Sequence, residues 1–287
     1  MSLIKTENLS YVYSQGSPFQ VTALDNISIT IEKGEFIGII GHTGSGKSTL
    51  VQHLNGILKP TSGKVFFEGT DIFKDRQTTK NVRFKVGLCF QYPEYQLFEN
   101  TVYDDIAFGP KNMGLSKDEI DEYVLEAASF VGIKKELLKK SPFELSGGEK
   151  RRAAIAGVIA MKPEVLILDE PTAGLDPKGR KRIERMIADY RQATESTVII
   201  VSHSMEDIAR TVGKVLVMNH GKAEMFAGVD EVFSKIERLP EIGLDVPSIT
   251  RIMLRLRSLG YDVRTDIYTV EQAKDELLFL LKERGVL

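Results

Sequence analysis

One glycine-rich segment has the residue types and the spacing that binding of phosphate groups requires. It satisfies the pattern Gly-x-x-x-x-Gly-Lys-[Ser/Thr] in full, follows an apolar run and precedes a helix-forming one. Its residues, called here the phosphate loop, are Gly41, His42, Thr43, Gly44, Ser45, Gly46, Lys47, Ser48 and Thr49. Backbone N–H groups of such a loop surround phosphate oxygens, and the glycines leave room for their approach. The pattern predicts that Lys47 reaches the β- and γ-phosphates, that Ser48 supplies a hydroxyl to Mg²⁺, and that Thr49 donates toward the α-phosphate.

Two carboxylates follow an apolar run in the second half of the chain. Residues 165–168 have the composition of a buried strand, and Asp169 and Glu170 come directly after them. A buried strand presents polar side chains at its end, where sheets bind their ligands. We expect Asp169 to hold Mg²⁺ through the water shell of the ion and Glu170 to activate a water as general base. Adjacent acidic residues at a strand end are common, so the prediction depends on their pairing with the phosphate loop.

A third segment, Leu145-Ser146-Gly147-Gly148-Glu149, precedes a helix-forming run and is called here the Ser-Gly-Gly segment. Ser146 and Glu149 have the Ser-x-x-Glu spacing of a helix N-terminal capping box. The capping box does not explain the two glycines, which weaken a helix start by roughly 1 kcal/mol each unless something must approach the backbone closely. We therefore interpret this helix N-terminus as a second phosphate-binding device.

Strands and helices are needed to position these segments. Residues 1 to about 90 are predicted to be mainly β, with one helix that begins at Lys47. The predicted strands of this region span residues 3–9, 27–31, 36–40 and 65–67.

The rest of the chain alternates in character. Residues 101–140 are charged and have helical periodicity, which predicts a helical insertion. Two buried-strand runs, residues 165–168 and 198–201, flank a helix that begins at Pro177. This alternation is typical of a parallel sheet, so we predict an α/β fold with a mainly parallel core sheet, an N-terminal antiparallel β region, a helical insertion and a small C-terminal extension.

Composition and charge exclude several classes of protein. With 40 acidic and 38 basic residues the net charge is −2, so the overall charge does not favour nucleic-acid binding. The basic clusters at residues 150–152 and 180–182 are interpreted as solvated helix faces. Cys89 is the only cysteine, which excludes an internal disulfide and fits a reducing compartment. No apolar run approaches the ~18 residues of a membrane-spanning helix, so we expect any membrane attachment to come from another protein.

The Ser-Gly-Gly segment resembles the signature sequence of ABC ATPases, and other positions match that family in the same order. In the family, the signature of one subunit closes over the nucleotide that the phosphate loop of the other subunit holds. The resemblance implies a P-loop NTPase fold of ABC type that binds ATP and Mg²⁺, with ATP contacts from Ser146 and the glycine amides. It further implies catalytic roles for Gln91, beside Mg²⁺ and the attacking water, and for His203 at the γ-phosphate, a nucleotide-binding role for Asp176, and stacking of Tyr13 on adenine.

Singly these matches are weak, and their shared order over residues 3–228 carries the inference. A lone histidine specifies little, and Tyr11 alternates with Tyr13 along one strand, although the resemblance favours Tyr13. One departure is Glu149, where glutamine is common in the family. The glutamate keeps the capping geometry and adds a negative charge, which predicts weaker closure over nucleotide.

Smaller features resemble the energy-coupling factor (ECF) branch of the family. They are residues 92–98 after Gln91, residues 101–102 and residues 107–112, while residues 174–180 resemble the second, or A-prime, ATPase of that branch. The resemblance implies a subunit that powers an importer for vitamins or transition-metal ions, bound peripherally at the cytoplasmic face of the cell membrane. Its implied partners are a sister ATPase in a heterodimer or a second copy in a homodimer, a transmembrane coupling subunit and a substrate-binding membrane subunit.

Large side chains follow Gln91 directly, namely those of Tyr92, Tyr95, Leu97 and Phe98. With the helical insertion, we expect them to form the groove for a coupling helix of the transmembrane subunit. The alternative is that these side chains pin the loop to its own domain.

We predict two domains. An ABC nucleotide-binding domain spans residues 1–228, with its helical insertion at about 92–162, and a C-terminal extension spans residues 229–287. Apolar residues recur at helical spacing over 249–259, and a capping box at 269–272 precedes a second such run. The two short amphipathic helices expected here either cover apolar residues of their own domain or form a dimer or subunit contact.

Other function classes stay open at this point. An ATPase of another ABC importer branch could carry similar aromatic residues after Gln91. A soluble ABC protein of DNA repair or translation usually contains long coiled coils or two nucleotide domains, and the sequence shows neither. A P-loop kinase or GTPase would lack the Ser-Gly-Gly segment.

Overall fold

The elements that carry the predicted motifs are present, and the computed structural model describes residues 2–235 and 238–283. The strands are β1 (Ser2–Tyr13), β2 (Val21–Ile27), β3 (Thr30–Glu32), β4 (Phe36–Ile40), β5 (Ser62–Phe67), β6 (Thr70–Asp71), β7 (Val86–Cys89), β8 (Val165–Asp169), β9 (Thr197–Val201), β10 (Lys214–Asn219) and β11 (Lys222–Gly228). The α-helices are α1 (Lys47–Leu54), α2 (Arg76–Lys85), α3 (Val102–Met113), α4 (Lys117–Phe130), α5 (Gly147–Ile159), α6 (Pro177–Thr194), α7 (Met205–Thr211), α8 (Val229–Ser234), α9 (Arg238–Glu241), α10 (Ser248–Ser258) and α11 (Val270–Glu283).

The chain divides into two structural units, and the division runs through the phosphate loop. Unit 1 comprises Met1–Glu35 and Ser48–Val201, and unit 2 comprises Phe36–Lys47 and Ser202–Leu287. Each unit therefore contains some of the predicted site residues: Lys47 belongs to unit 2, whereas Ser48 and Asp169 belong to unit 1.

Unit 1 contains the antiparallel sheet predicted for the start of the chain. β1 lies between β2 and β5, β6 extends the sheet beyond β5, and β3 also pairs with β1. Leu3, Ile4 and Leu9 on β1 are buried, as the apolar composition of this strand predicts. The strand ends at Tyr13, one of the predicted nucleotide contacts.

The predicted strand over residues 27–31 is two strands. β2 ends at Ile27 and β3 begins at Thr30, so the prediction of one continuous strand is wrong. The buried side chain of Thr6 satisfies the break: its hydroxyl donates to the carbonyl oxygen of Ile27 at 2.9 Å and accepts from the N–H of Ile29 at 3.0 Å. A buried break in a strand is tolerated because its backbone groups remain paired.

Three buried parallel strands form the other sheet region of unit 1. β8 lies between β7 and β9, and all residues of the three strands are buried. Near-continuous apolar runs are typical of parallel strands covered on both faces. α6 connects β8 to β9 and begins at Pro177 after the N-cap Asp176. The predicted α/β fold with a parallel core is confirmed.

The predicted helical insertion is present, and the region before it contains a second helix that was not predicted. α2 interrupts the first region after its N-cap Asp75, which accepts from the N–H of Thr78 at 2.7 Å, so the prediction of a single helix there is wrong. Val82 is the buried residue of α2, and the remaining polar surface has no apolar period that a sequence pattern could reveal. α3, α4 and α5 follow as expected.

Unit 2 combines the strand before the phosphate loop with the C-terminal part of the chain. β4 pairs in parallel with β10, and β10 pairs antiparallel with β11. Towards the C-terminus, α10 and α11 bury a small apolar cluster of Met253, Val263, Ile267 and Ala273. Both predicted amphipathic helices are therefore present, and they cover apolar residues of their own unit. A dimer or subunit contact for this region stays a prediction.

The predicted division into domains at residue 228 also stays a prediction. β11 ends at Gly228 and α8 follows directly, whereas unit 2 extends across this position. Within the described ranges 2–235 and 238–283, no helix combines the length and the apolar content needed to span a bilayer.

Candidate functional site

The phosphate loop starts where β4 ends, and its first glycine is closely packed within unit 2. A Cβ atom at Gly41 would lie 2.4 Å from Ser45 Oγ and 2.5 Å from the carbonyl oxygen of Met218, so only glycine fits. Lys47 Nζ donates to the carbonyl oxygens of Gly41 and His42 at 2.7 and 3.0 Å. The loop thus gathers a cation and close-packed backbone groups, as a polyanion site requires.

The other loop residues differ in their surroundings. Thr43 and Gly44 are exposed, and the φ angles of Gly44 and Gly46, +80° and +101°, favour glycine at both positions. His42 Nε2 lies 3.2 Å from Asn219 Oδ1, and His42 Nδ1 lies 2.8 Å from the carbonyl oxygen of Thr43. The imidazole therefore braces the loop. Contacts of these residues with nucleotide stay predictions.

Ser48 and Asp169 meet in unit 1, as the predicted sharing of Mg²⁺ requires. Ser48 Oγ donates to Asp169 Oδ2 at 2.8 Å, and Asp169 is the buried last residue of β8. Mg²⁺ prefers hard oxygen donors and is usually held by one or two carboxylates together with substrate phosphates. A hydroxyl and a carboxylate at this separation fit that donor set.

Glu170 has an uncommon backbone conformation next to this pair. Its φ angle is +51°, in the left-handed region, and its side chain is buried. The N–H of Glu170 donates to the carbonyl oxygen of Val201 at 2.9 Å, which fixes the turn after β8. A left-handed non-glycine residue costs of order 1 kcal/mol or more and is typical of functional sites. The conformation therefore supports a functional role for this carboxylate.

Tyr13 reaches the end of the phosphate loop within unit 1. Its hydroxyl oxygen lies 3.3 Å from Thr49 Oγ1, and its ring is 39% exposed. Tyr11 packs edge-on against Tyr13 at 4.8 Å and against His53 at 4.7 Å between ring centroids. Tyr11 is thus held between two rings, and the more exposed Tyr13 is the better candidate for stacking on adenine.

Gln91 and Asp176 lie in two further segments of unit 1. Gln91 is exposed after β7, and the next residue, Tyr92, has a φ angle of +55° before a 3₁₀ turn. The ring of Tyr92 lies beside Gly174, where a Cβ atom would be 3.8 Å from Tyr92 Cε1. Asp176 Oδ1 accepts from the N–H of Gly179 at 2.7 Å, which confirms the predicted N-cap. The segments that contain Gln91 and Asp176 therefore approach each other at Tyr92.

His203 is exposed on the turn between β9 and α7. Ser202 Oγ accepts from the N–H of Ser204 at 3.0 Å, and the side chain of Ser204 caps α7. Hydrogen bonds of the two serines that flank His203 therefore define this turn. Its contact with a γ-phosphate stays a prediction.

The Ser-Gly-Gly segment forms the predicted capping box at the start of α5. Glu149 Oε2 accepts from the backbone N–H of Ser146 at 2.9 Å and from its hydroxyl at 2.6 Å, and these bonds hold the pKa of Glu149 below its ordinary value. Ser146, Gly147 and Gly148 are exposed, and a Cβ atom at Gly147 would meet no atom of the described residues within 4 Å. Packing within the chain therefore does not explain glycine at this position.

Arg151 is a residue whose role the sequence analysis missed. The interpretation of residues 150–152 as a solvated helix face is wrong for Arg151, which is 2% exposed and forms an ion pair with Glu94 at 2.6 Å. Its position contained a signal, because Arg151 precedes the buried Ile155 and Ile159 by four and eight residues and so lies on the buried face of α5. Arg180, Lys181 and Arg182 are exposed, as predicted.

A surface groove of about 330 Å³ follows the segment after Gln91 in unit 1. Its apolar lining includes Phe84, Phe98, Phe108 and Met161. The rings of Phe98 and Phe108 pack edge-on at 5.1 Å and are 61% and 45% exposed. Leu97 is buried and pins the loop to its own domain, whereas Phe98 is exposed. Docking of a coupling helix at this cluster stays a prediction.

The polar residues in the lining of the groove are Arg83, Gln96, Asn112 and the buried Asp105. Asp105 Oδ1 accepts from the N–H groups of Phe98 and Glu99 at 3.1 and 3.2 Å, and burial raises the pKa of its carboxyl. These bonds fix the backbone from which the ring of Phe98 projects.

Comparisons with known proteins identify the family of this chain. A family model described as ABC transporter matches residues 24–173. The energy-coupling factor transporter ATP-binding protein EcfA2 of Caldanaerobacter subterraneus subsp. tengcongensis is 54% identical over 279 residues, which cover 97% of this chain and 98% of that protein.

Solved structures give the same result for the fold. A structure of CbiO1 from Clostridium perfringens, described as part of the ABC transporter complex CbiONQ, aligns with a TM-score of 0.74 and 40% identity over 88% of this chain and 98% of that one. A dimeric post-hydrolysis structure of the ATP-binding cassette MJ0796, bound to ADP and Pi, aligns with a TM-score of 0.71 and 26% identity over 79% of this chain and 99% of that one.

These matches cover the phosphate loop, the strand end at Asp169 and the Ser-Gly-Gly segment together, in the order in which the sequence presents them. The chain belongs to the ABC transporter family and, within it, to the ATP-binding proteins of energy-coupling factor transporters.

Proposed function

We propose that this chain binds and hydrolyses ATP to power an ECF-type importer for vitamins or transition-metal ions. The observation that carries the proposal is the 2.8 Å hydrogen bond from Ser48 to Asp169, because it joins the phosphate loop to the strand end that also presents Glu170. The relatives named EcfA2 and the neighbour described as part of CbiONQ support the transport role.

Each side chain has a distinct task in this proposal. Lys47 and the loop N–H groups bind the phosphates, and Glu170 accepts the proton of the attacking water. Ser48 and Asp169 would hold Mg²⁺, which when bound offsets the negative charge of the phosphates. The left-handed backbone of Glu170 directs its carboxylate from the end of β8.

A second subunit would complete the nucleotide site. The exposed N-terminus of α5, with Ser146 and two glycines, has N–H donors at its surface and a positive helix end. In the proposed assembly it covers the ATP of a partner, which is either a sister ATPase or a second copy of this chain. The dimeric MJ0796 cassette with ADP and Pi supports such an arrangement.

The membrane partner would dock at the groove beside Phe98 and Phe108. Both rings are exposed, and Phe98 lies seven residues after Gln91 in sequence, so docking and the predicted active-site glutamine share one loop. A coupling helix with an apolar face fits this lining. The chain would thereby be held at the cytoplasmic face of the membrane.

The test of this function uses the complex purified from its native membrane through a tag on this chain. We expect mass spectrometry to detect a transmembrane subunit, and the complex to hydrolyse ATP only with Mg²⁺. An Asp169→Asn variant should lose most of the hydrolysis while the complex stays assembled. Recovery of soluble partners alone, or hydrolysis that does not depend on Mg²⁺, would overturn the proposal.

A further inference from the structure

A buried guanidinium joins three segments of unit 1 that the sequence separates widely. Arg151 Nη2 and Nε donate to the two carboxylate oxygens of Glu94 at 2.6 and 3.0 Å. Arg151 Nη1 donates to the carbonyl oxygens of Ala173 and Pro171 at 2.6 and 3.3 Å. The rigid fork of arginine suits such a two-sided contact, because each bond constrains the orientation of the others.

Each of these segments contains part of the proposed chemistry. Glu94 lies in the 3₁₀ turn three residues after Gln91, and Arg151 lies on α5 behind the Ser-Gly-Gly segment. Pro171 follows Glu170 directly, and the N–H of Ala173 donates to the carbonyl oxygen of Glu170 at 3.1 Å. Arg151 is therefore bonded to the turn that presents the proposed general base.

Stability alone is a weak reason for this arrangement. Burying an ion pair costs desolvation free energy that the attraction between the charges often fails to offset. Burial is the largest single influence on Glu94 and opposes its ionisation, but the hydrogen bonds and charge of Arg151, together with a backbone hydrogen bond, leave the pKa of Glu94 below its ordinary value. The contacts of the buried Arg151 guanidinium are better explained by the geometry that they impose on the neighbouring segments.

We propose that Arg151 is a positioning residue for hydrolysis, which transmits the position of the segment after Gln91 to the turn that contains Glu170. The contact of the Tyr92 ring with Gly174 joins the same two segments a second time. Movement at the docking groove would thus reach the general base through Glu94 and Arg151. This inference rests on the proposed ATPase function and adds a residue that does not itself touch ATP.

The test compares kcat and KM for ATP in the complete transporter complex. We expect Arg151→Lys, which keeps the charge but loses the fork, to lower kcat about tenfold while KM for ATP changes less than about twofold. Glu94→Gln should lower kcat by a smaller factor, and the two changes together should be less than multiplicative, because they break one contact.

A charge swap separates positioning from simple ion pairing. Glu94→Arg combined with Arg151→Glu restores opposite charges, but a carboxylate cannot donate to the carbonyl oxygens of Pro171 and Ala173. We expect kcat to stay low in the swap. Recovery of wild-type kcat would show that only the ion pair matters and would overturn the proposal.

The exposed ion pair between Lys162 and Glu126, at 2.7 Å, provides the matched control. Glu126→Gln should leave kcat within about twofold. Thermal unfolding checks each variant, and if Arg151→Lys does not fold, an unchanged kcat in Glu94→Gln is sufficient to refute the proposal. Wild-type complex that fails to hydrolyse ATP refutes the proposed function instead, whereas active wild type with an equally active Arg151→Lys refutes only this inference.

Discussion

Two α-helices of unit 1 begin with the same Ser-x-x-Glu capping box, yet only one contains glycines inside it. In α4, Glu119 Oε2 accepts from the N–H and the hydroxyl of Ser116 at 2.8 and 2.6 Å. In α5, the corresponding distances from Ser146 to Glu149 are 2.9 and 2.6 Å. The intervening residues are Lys-Asp in α4 and Gly-Gly in α5. Capping therefore accounts for the serine and the glutamate in both helices but does not account for the glycines of α5.

The difference teaches what a local motif can and cannot indicate. In α4 these two positions hold lysine and aspartate, and an acidic residue in the first turn stabilises the helix through its interaction with the helix dipole. Gly147 and Gly148 forgo that stabilisation and leave the N–H groups of α5 open to a close approach. We attribute this cost to the binding of a phosphate chain, which makes α4 the natural control for α5.

The comparison of α4 with α5 requires that the chain contains a hydrolytic site. Glu170→Gln tests for that site, and the fall in kcat expected for it is the largest of these predictions. The amide keeps the shape of the side chain and loses the base, so kcat should fall by about 10² to 10⁴ while ATP binding persists. ATPase assays and calorimetry check the two parts. Glu164, at the opposite end of the same strand region and paired with Lys85 at 2.9 Å, is the control, and Glu164→Gln should stay within about twofold. Near-normal turnover in Glu170→Gln would remove this residue from the role.

The most direct test of the difference between α5 and α4 compares the variants Ser146→Arg and Ser116→Arg. Both changes delete an N-cap, so each should lower the free energy of unfolding by about 1 kcal/mol. Only Ser146→Arg should also lower ATP hydrolysis more than about tenfold, because a bulky side chain then occupies the surface that meets a partner's nucleotide. Thermal unfolding and ATPase rates measured on both variants decide. Equal ATPase rates would leave α5 with no role beyond capping.

Complementation tests whether that surface acts on another subunit. Lys47→Ala should lose ATP affinity in calorimetry, because it removes the cation that faces the phosphates. If the active form is a homodimer, mixing Lys47→Ala and Ser146→Arg chains creates dimers with one site that has both defects and one site that has neither. Partial activity should return. If the partner is a sister ATPase, the two changes are placed on opposite subunits in both arrangements, and one arrangement should stay active.

Gly148→Ala sharpens the comparison by separating stability from activity. Among the residues that the structure describes, a Cβ atom at this position would meet only Arg152 Nη1, at 3.7 Å, so alanine should stabilise the helix by up to about 1 kcal/mol. ATP hydrolysis should nevertheless fall several-fold, because the methyl group obstructs the approach of phosphate oxygens. Asp118→Ala in α4 is the matched control and should leave hydrolysis unchanged. A Gly148→Ala variant that is both more stable and fully active would contradict the phosphate role.

Glu149→Gln against Glu119→Gln has the smallest expected effect. Hydrogen bonds from Ser146 keep the pKa of Glu149 low, so the group is charged at neutral pH and the substitution removes a negative charge. The ATP concentration for half-maximal hydrolysis should fall about two- to threefold, in line with about 0.3–1 kcal/mol for a charge at a helix end. Glu119→Gln should not change it. An unchanged or higher concentration in Glu149→Gln would show that this charge does not oppose closure.

Much of the candidate site followed from the sequence because its parts are local. The phosphate loop, the strand before Asp169 and the N-caps at Ser146 and Asp176 each depend on fewer than about ten consecutive residues, over which hydrogen-bond partners and periodicity can be read directly. α2 was not predicted because its polar residues have no apolar period. The break between β2 and β3 was not predicted because its backbone groups are paired with Thr6, some twenty residues away in sequence.

The sequence by itself determined the family, the α/β fold and the residues proposed to contact nucleotide, since a short-range pattern sets each of them. The spacing of Arg151 to Ile155 and Ile159 places it on the buried face of α5. Tertiary structure alone decided that Arg151 pairs with Glu94 from 57 residues away and that it bonds the turn after Glu170. The physical reason is that burial of a charge requires partners on every side, and packing of separate segments supplies them. No pattern within α5 specifies a carboxylate from another part of the chain.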